Sequence, residues 1–125
     1  MNQAKYLSKL SKNNPDAVII GSLGTISYDL KEIEHENKIL VKGAMGHAMA
    51  IALGYAMGTD KQVIVVVGDG SFLMKMGTMA TVLANDLSNL KVIILNNNCY
   101  RSCGGQETNF KYLSNLPFEV HEVSI

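Results

Sequence analysis

The stretch Val63-Ile64-Val65-Val66-Val67-Gly68-Asp69-Gly70-Ser71, with Asn96-Asn97-Asn98 further along the chain, decides the fold. The residues at 62–67 are almost all β-branched and apolar, as a central strand of a parallel sheet should be when both its faces are buried. Gly68-Asp69-Gly70 then turns the chain. Phe72, Met76, Met79, Leu83 and Leu87 recur at spacings of three and four, which predicts one helix with a buried stripe. An apolar strand at 91–95 follows and runs into the three asparagines. Strand, helix and strand in this order predict a β-α-β crossover and parallel pairing.

The same alternation continues outward. Residues 4–11 read as an amphipathic helix with Tyr6, Leu7 and Leu10 on one face, ended by Asn13-Asn14-Pro15. Strands are expected at 17–20 and 38–41, with a helix at 25–33 between them. After Gly43-Ala44-Met45-Gly46, the small-residue segment 47–57 predicts a tightly packed helix stopped by Gly58. A last strand is expected at 118–125. The expectation is one α/β domain over residues 1–125, an open parallel sheet with helices on both faces.

Composition narrows the function. The 125 residues are 47% hydrophobic and 18% charged, enough to bury a core. Eleven Lys+Arg balance eleven Asp+Glu, and the lysines are scattered singly. That argues against a nucleic-acid binder working through bulk charge. The longest apolar run, at 63–67, is far short of the roughly 20 residues of a membrane span. Met1-Asn2-Gln3-Ala4-Lys5 lacks the features of a signal peptide. Cys99 and Cys103 are too close together to staple a fold, and no partner ligands stand at zinc spacing. The expected location is cytoplasmic, with no membrane partner.

In open parallel sheets ligands gather at the carboxyl ends of strands, and three loops rich in Gly, Asp and Asn follow strands here. Glycines at 68 and 70 allow close approach of a ligand, and the helix opening at Ser71 favours a phosphate. Asp69 would repel a bare phosphate, a conflict that a divalent cation between them resolves. Asp69 could equally be a helix cap. The 25 residues from 71 to 95 suffice for one helix and a returning strand, so Asp69 and an Asn could converge from adjacent strand ends. Asn96 to Asn98 could also be an ordinary polar turn.

Gly68-Asp69-Gly70, 25 residues and Asn96-Asn97 together resemble the thiamine diphosphate motif of the 2-oxo acid decarboxylase and acetolactate synthase superfamily. Gly43-Ala44-Met45-Gly46-His47-Ala48 with Ile51-Ala52-Leu53-Gly54, and Ser102-Cys103-Gly104-Gly105-Gln106-Glu107-Thr108, resemble the phosphonopyruvate decarboxylases and the β subunits of sulfopyruvate decarboxylases. The resemblance runs from about residue 17 to 108. It implies the diphosphate-binding module of such a decarboxylase, with thiamine diphosphate and Mg²⁺ as cofactors.

Further roles follow from the resemblance alone. Asp69, Asn97 and the Cys99 carbonyl would hold Mg²⁺, with Asn97 chosen because the strand leads into the family's Asn-Asn pair. Gly68, Gly70 and Ser71 form the diphosphate turn, with backbone N–H groups from Gly70 and Ser71. The Gly43 carbonyl would meet the aminopyrimidine, beside Ala44, and Met45 would prop the cofactor into a V. His47 could meet substrate, or could cap or pack its helix. Arg101 could hold a phosphonate or sulfonate, since its fork of donors suits tetrahedral anions, or could be a solvated loop charge. Gln106 and Thr108 carry only the resemblance, and the segment from Met74 to Met79 is expected in the core.

The resemblance also implies a glutamate that activates the cofactor's pyrimidine ring, placed in a separate pyrimidine-binding domain. Glu32, Glu34 and Glu36 do not match its context. The expected partner is therefore a pyrimidine-binding subunit or domain on another chain, in a homo- or hetero-oligomer, and the substrate is a small 2-oxo acid. The product would be an aldehyde and CO₂. Family modules usually continue through a further helix and strand, so this one is expected to be trimmed at its C-terminus or to be a fragment. Two other readings stand beside it: a non-catalytic thiamine diphosphate-binding or degenerate module with an assembly or regulatory role, and a different phosphate or nucleotide binder.

Overall fold

The computed structural model describes residues 1–124. Five strands, β1 (Val18–Gly21), β2 (Lys38–Leu40), β3 (Val63–Gly68), β4 (Leu90–Asn96) and β5 (Glu119–Glu122), form one sheet in the order β2-β1-β3-β4-β5. Every pairing is parallel. The inner strands β1, β3 and β4 are nearly continuous runs of Val, Ile and Leu, buried on both faces, while β2 and β5 at the edges are more polar.

Alternate strand residues feed two separate cores. Ile19, Ile64, Val66, Ile93 and Leu95 pack under α1 (Gln3–Asn13) and α2 (Thr25–Lys31) through Leu7, Leu10, Ile26 and Leu30. On the other face, Val18, Ile20, Val63, Val65, Val67, Val92 and Ile94 meet α3 (Ala48–Met57), α4 (Asp69–Met74) and α5 (Thr78–Asn85). Two short 3₁₀ turns, Arg101–Cys103 and Phe110–Tyr112, punctuate the long β4–β5 connection. The Asn2 side chain accepts from the Lys5 N–H and starts α1, and Asn14 closes it by donating to the Leu10 carbonyl at 2.9 Å.

Three expectations need correction. The single helix carrying Phe72 to Leu87 is two helices, because Lys75 leaves helical geometry (φ −135°, ψ 44°). The break resets the rotational phase. Val82 faces the sheet at 8% exposure, Met79 and Leu87 are half-buried, and Leu83 is 48% exposed. Met74 and Met76 are likewise exposed and not core. At the end of the chain the strand is Glu119–Glu122 alone, and Ile125 lies outside the described residues.

This strand order positions the site. The chain leaves β1 toward β2 on one side, and β3 lies on the other. The loops after β1 and β3 therefore part at the carboxyl end and leave a crevice between them.

Candidate functional site

The crevice is a cleft whose walls come from the loops after β1, β3 and β4 and from one residue of the 43–46 turn. From β3 come Gly68, Asp69, Gly70 and Ser71; from the β4 loop come Asn97, Cys99, Tyr100, Arg101 and Cys103; Met45 adds a thioether. Asp69 and Arg101 are the charged side chains among these linings.

Asp69 is 2% exposed yet fully engaged. Its Oδ2 accepts from the Thr108 hydroxyl at 2.6 Å, and its Oδ1 lies 3.4 Å from the Asn97 N–H. Both contacts fix the orientation of the buried carboxylate. The parallel register pairs Gly68 with Leu95, so the residues that follow each strand stand side by side. The Asn97 side-chain Oδ1 accepts from the Cys99 N–H at 3.1 Å. Asn96 points the other way, its amide bound to Glu122 and to Asn98. Of the three asparagines, Asn97 is the one that lines the cleft.

Glycine is required at two positions. A Cβ on Gly70 would lie 2.7 Å from the Tyr100 ring. Gly46 has φ +90°, and a Cβ there would meet Met74 and Lys75 at 2.9 Å. That approach lets the 43–46 turn rest on α4 and turns Met45 toward the cleft. Gly43 and Ala44 are exposed in the same turn and do not line it, and Ala44 holds a left-handed φ of 53°. His47 is exposed at the start of α3 without a side-chain capping bond, and it too is outside the lining. Arg101 is exposed at the rim. Gln106 packs beside Gly104 and stays out of the cleft, and both cysteines are free thiols.

Several lining or supporting residues had no decisive signal in the sequence. The Ser22 hydroxyl accepts from the Gly68 N–H at 3.2 Å and fixes the β1 loop to the start of the Gly-Asp-Gly turn. Gln3, buried at the start of α1, donates to Thr25 Oγ1 and Asp29 Oδ2 at the cleft wall. A small-residue cluster after a strand hints at Ser22; Gln3 is visible only once α1 is docked.

The donor set fits a hard divalent cation beside a diphosphate. Asp69, Asn97 and the Cys99 carbonyl all offer oxygen, and the Gly70 and Ser71 N–H groups lie in the first turn of a helix, where such groups lack intrahelical partners. Residues 20–121 match the model of the thiamine pyrophosphate enzyme, C-terminal TPP binding domain. The chain belongs to this family. This thiamine pyrophosphate-binding module is 39% identical over 100 residues to a phosphonopyruvate decarboxylase of Streptomyces hygroscopicus, covering 79% of the chain and 25% of that protein. It is 37% identical over 94 residues to the sulfopyruvate decarboxylase subunit beta of Methanothermobacter thermautotrophicus, covering 74% of the chain and 51% of that subunit. The chain thus spans a quarter to a half of these relatives. The module also superposes on a 2-oxoglutarate:ferredoxin oxidoreductase from Magnetococcus marinus with a TM-score of 0.64 at 22% identity, covering 84% of the chain and 36% of that protein, a likeness of fold. Among the described residues, no helix is long and apolar enough to cross a membrane.

Proposed function

We propose that this chain is the diphosphate- and Mg²⁺-binding part of a thiamine diphosphate-dependent decarboxylase. Its substrate would be a 2-oxo acid carrying a phosphonate or sulfonate, and the products an aldehyde and CO₂. The observation that carries the reading is the meeting of Asp69 and Asn97 at the ends of neighbouring parallel strands, above a Gly-Asp-Gly turn. The decarboxylases among the relatives support the reaction class.

When bound, thiamine diphosphate supplies a nucleophilic carbon and an electron sink. The protein's own contribution is placement and charge. Asp69, Asn97 and the Cys99 carbonyl would hold Mg²⁺, while the Gly70 and Ser71 N–H groups would donate to diphosphate oxygens. Met45, in the cleft wall, would support the bound cofactor, and the Gly43 carbonyl would accept from its aminopyrimidine. Arg101, the cationic side chain at the cleft, would neutralise the substrate's tetrahedral anion, whereas His47 lies outside the lining.

A pyrimidine-binding chain or domain completes the site. Support for a second chain comes from the designation of relatives as beta subunits and from an uncharged surface. No charged residue occurs in α3 or α5, and these adjacent helices expose Ile51, Tyr55, Met57 and Leu83. Uncovered apolar area of this kind marks an interface.

A thermal-shift titration with thiamine diphosphate, with and without Mg²⁺, tests the cofactor half of the reading. At about 100 times its dissociation constant a native-state ligand adds roughly 2.7 kcal/mol of stability. The expected result is a Mg²⁺-dependent rise that Asp69→Ala loses. An equal rise in that variant would refute the assignment of the metal site.

A further inference from the structure

We propose that Glu122, at the end of β5, is a positioning residue for the metal-binding turn after β4. The inference rests on the Mg²⁺ reading above. The Asn96 side chain is 3% exposed, and its Nδ2 donates to Glu122 Oε1 and Oε2 at 2.9 and 3.0 Å and to Asn98 Oδ1 at 3.1 Å. A carboxylate can only accept, so Glu122 dictates which end of the Asn96 amide faces β5. The carbonyl end is thereby aimed at the Asn98 N–H, which it receives at 3.0 Å.

That bond closes a tight turn in which Asn98 takes a left-handed φ of 63°. The turn delivers Asn97 to the cleft and its side-chain Oδ1 to the Cys99 N–H, which it accepts at 3.1 Å. The Asn98 carbonyl then accepts from the Thr108 N–H at 3.1 Å, and the Thr108 hydroxyl binds Asp69. Glu122, Asn96, Asn98, Thr108 and Asp69 thus form one connected chain of hydrogen bonds. It runs from the sheet edge to the carboxylate assigned to the metal. The strand adds a main-chain tie, since the Val123 N–H donates to the Asn96 carbonyl at 2.9 Å. Glu122 itself lines no part of the cleft and acts only through Asn96.

The test measures the Mg²⁺ concentration that gives half the thermal shift at fixed thiamine diphosphate, in the full chain. Groups that orient metal ligands typically govern affinity by about 10–100-fold, so Glu122→Ala and Asn96→Asp should each raise the midpoint about tenfold or more. Glu122→Gln keeps an acceptor for the Asn96 amide. Asn96→Asp with Glu122→Gln exchanges donor and acceptor while preserving the pair. Both should return the midpoint to within about threefold of the starting chain. Midpoints unchanged in Glu122→Ala and Asn96→Asp overturn the positioning role, and so does failure of both rescues. Should Glu122→Ala not fold, the comparison of Asn96→Asp with its paired rescue decides. An unsubstituted chain without any Mg²⁺-dependent shift overturns the cofactor reading itself, and the role of Glu122 with it. A normal shift in that chain beside an unaltered Glu122→Ala overturns only the role.

Discussion

Thr108 shows how much a single hydroxyl can organise. It donates to Asp69 across 39 residues of sequence and receives the Phe110 N–H at 3.3 Å. Removing it in Thr108→Val leaves a buried carboxylate oxygen short of a donor, which costs about 1–3 kcal/mol. Thr108→Ser keeps the hydroxyl and loses one methyl, about 0.8 kcal/mol. Urea denaturation of the two variants reads the difference, and equal losses would mean the bond contributes nothing beyond packing. The approach of Asp69 to the asparagine run was legible from the spacing after the Gly-Asp-Gly turn, and the family resemblance singled out Asn97 within that run. Thr108 was not, since nothing in a Gly-Gly-Gln-Glu-Thr segment says which distant carboxylate its threonine will meet. Gly43, Ala44 and His47 were legible as a motif, yet they face solvent in the chain alone.

Among the elements, β5 is held by contacts of uneven kind. Lys91 on β4 pairs with Glu119 at 2.8 Å, and His121 approaches the same carboxylate at 2.5 Å. The hydrogen bonds from Lys91 first and His121 second hold the Glu119 carboxyl below its ordinary value of 4.5. A carboxyl held low when folded stabilises the fold above its unfolded pKa. That contribution is lost as pH falls through about 4.5 toward the folded value. Glu119→Gln should therefore flatten part of the acid limb of the stability profile, measured as urea midpoints from pH 7 to pH 3. Parallel profiles for the two proteins would show that the pair has no such effect. Periodicity found the inner strands within a residue or two because their apolar runs are unbroken. It failed on α4 and α5, where a stripe at spacings of three and four continues in the sequence across a break in the backbone. The break coincides with the close approach of Gly46 to Met74 and Lys75, a tertiary contact.

At the scale of the whole molecule, the apolar residues left in solvent are concentrated on helices more than on the outer strand, where Val120 is the exposed large apolar residue. With α3 and α5 uncharged, this face should be what a pyrimidine-binding chain covers. Ile51→Lys and Leu83→Lys are expected to leave the melting temperature within a few degrees while abolishing co-sedimentation with that chain. Assembly of the charged variants at unchanged affinity would exclude this face as the interface. Both residues are more than two-fifths exposed, so charge there meets water in the separate chain and is desolvated only in the complex.

The sequence by itself determined the class of fold, the parallel sheet and the family, since unbroken Val/Ile runs and Gly-Asp-Gly spacing are short-range signals that survive in any register. Only the tertiary structure decided how one expected helix divides, where Asn96 turns its amide and what supports the site from behind. Those outcomes depend on partners 26 residues away in the case of Asn96 and Glu122, and 39 away for Thr108 and Asp69. Contacts of that kind form when the strands pair and the helices dock, and hydrogen bonds between such distant groups leave no period in the chain.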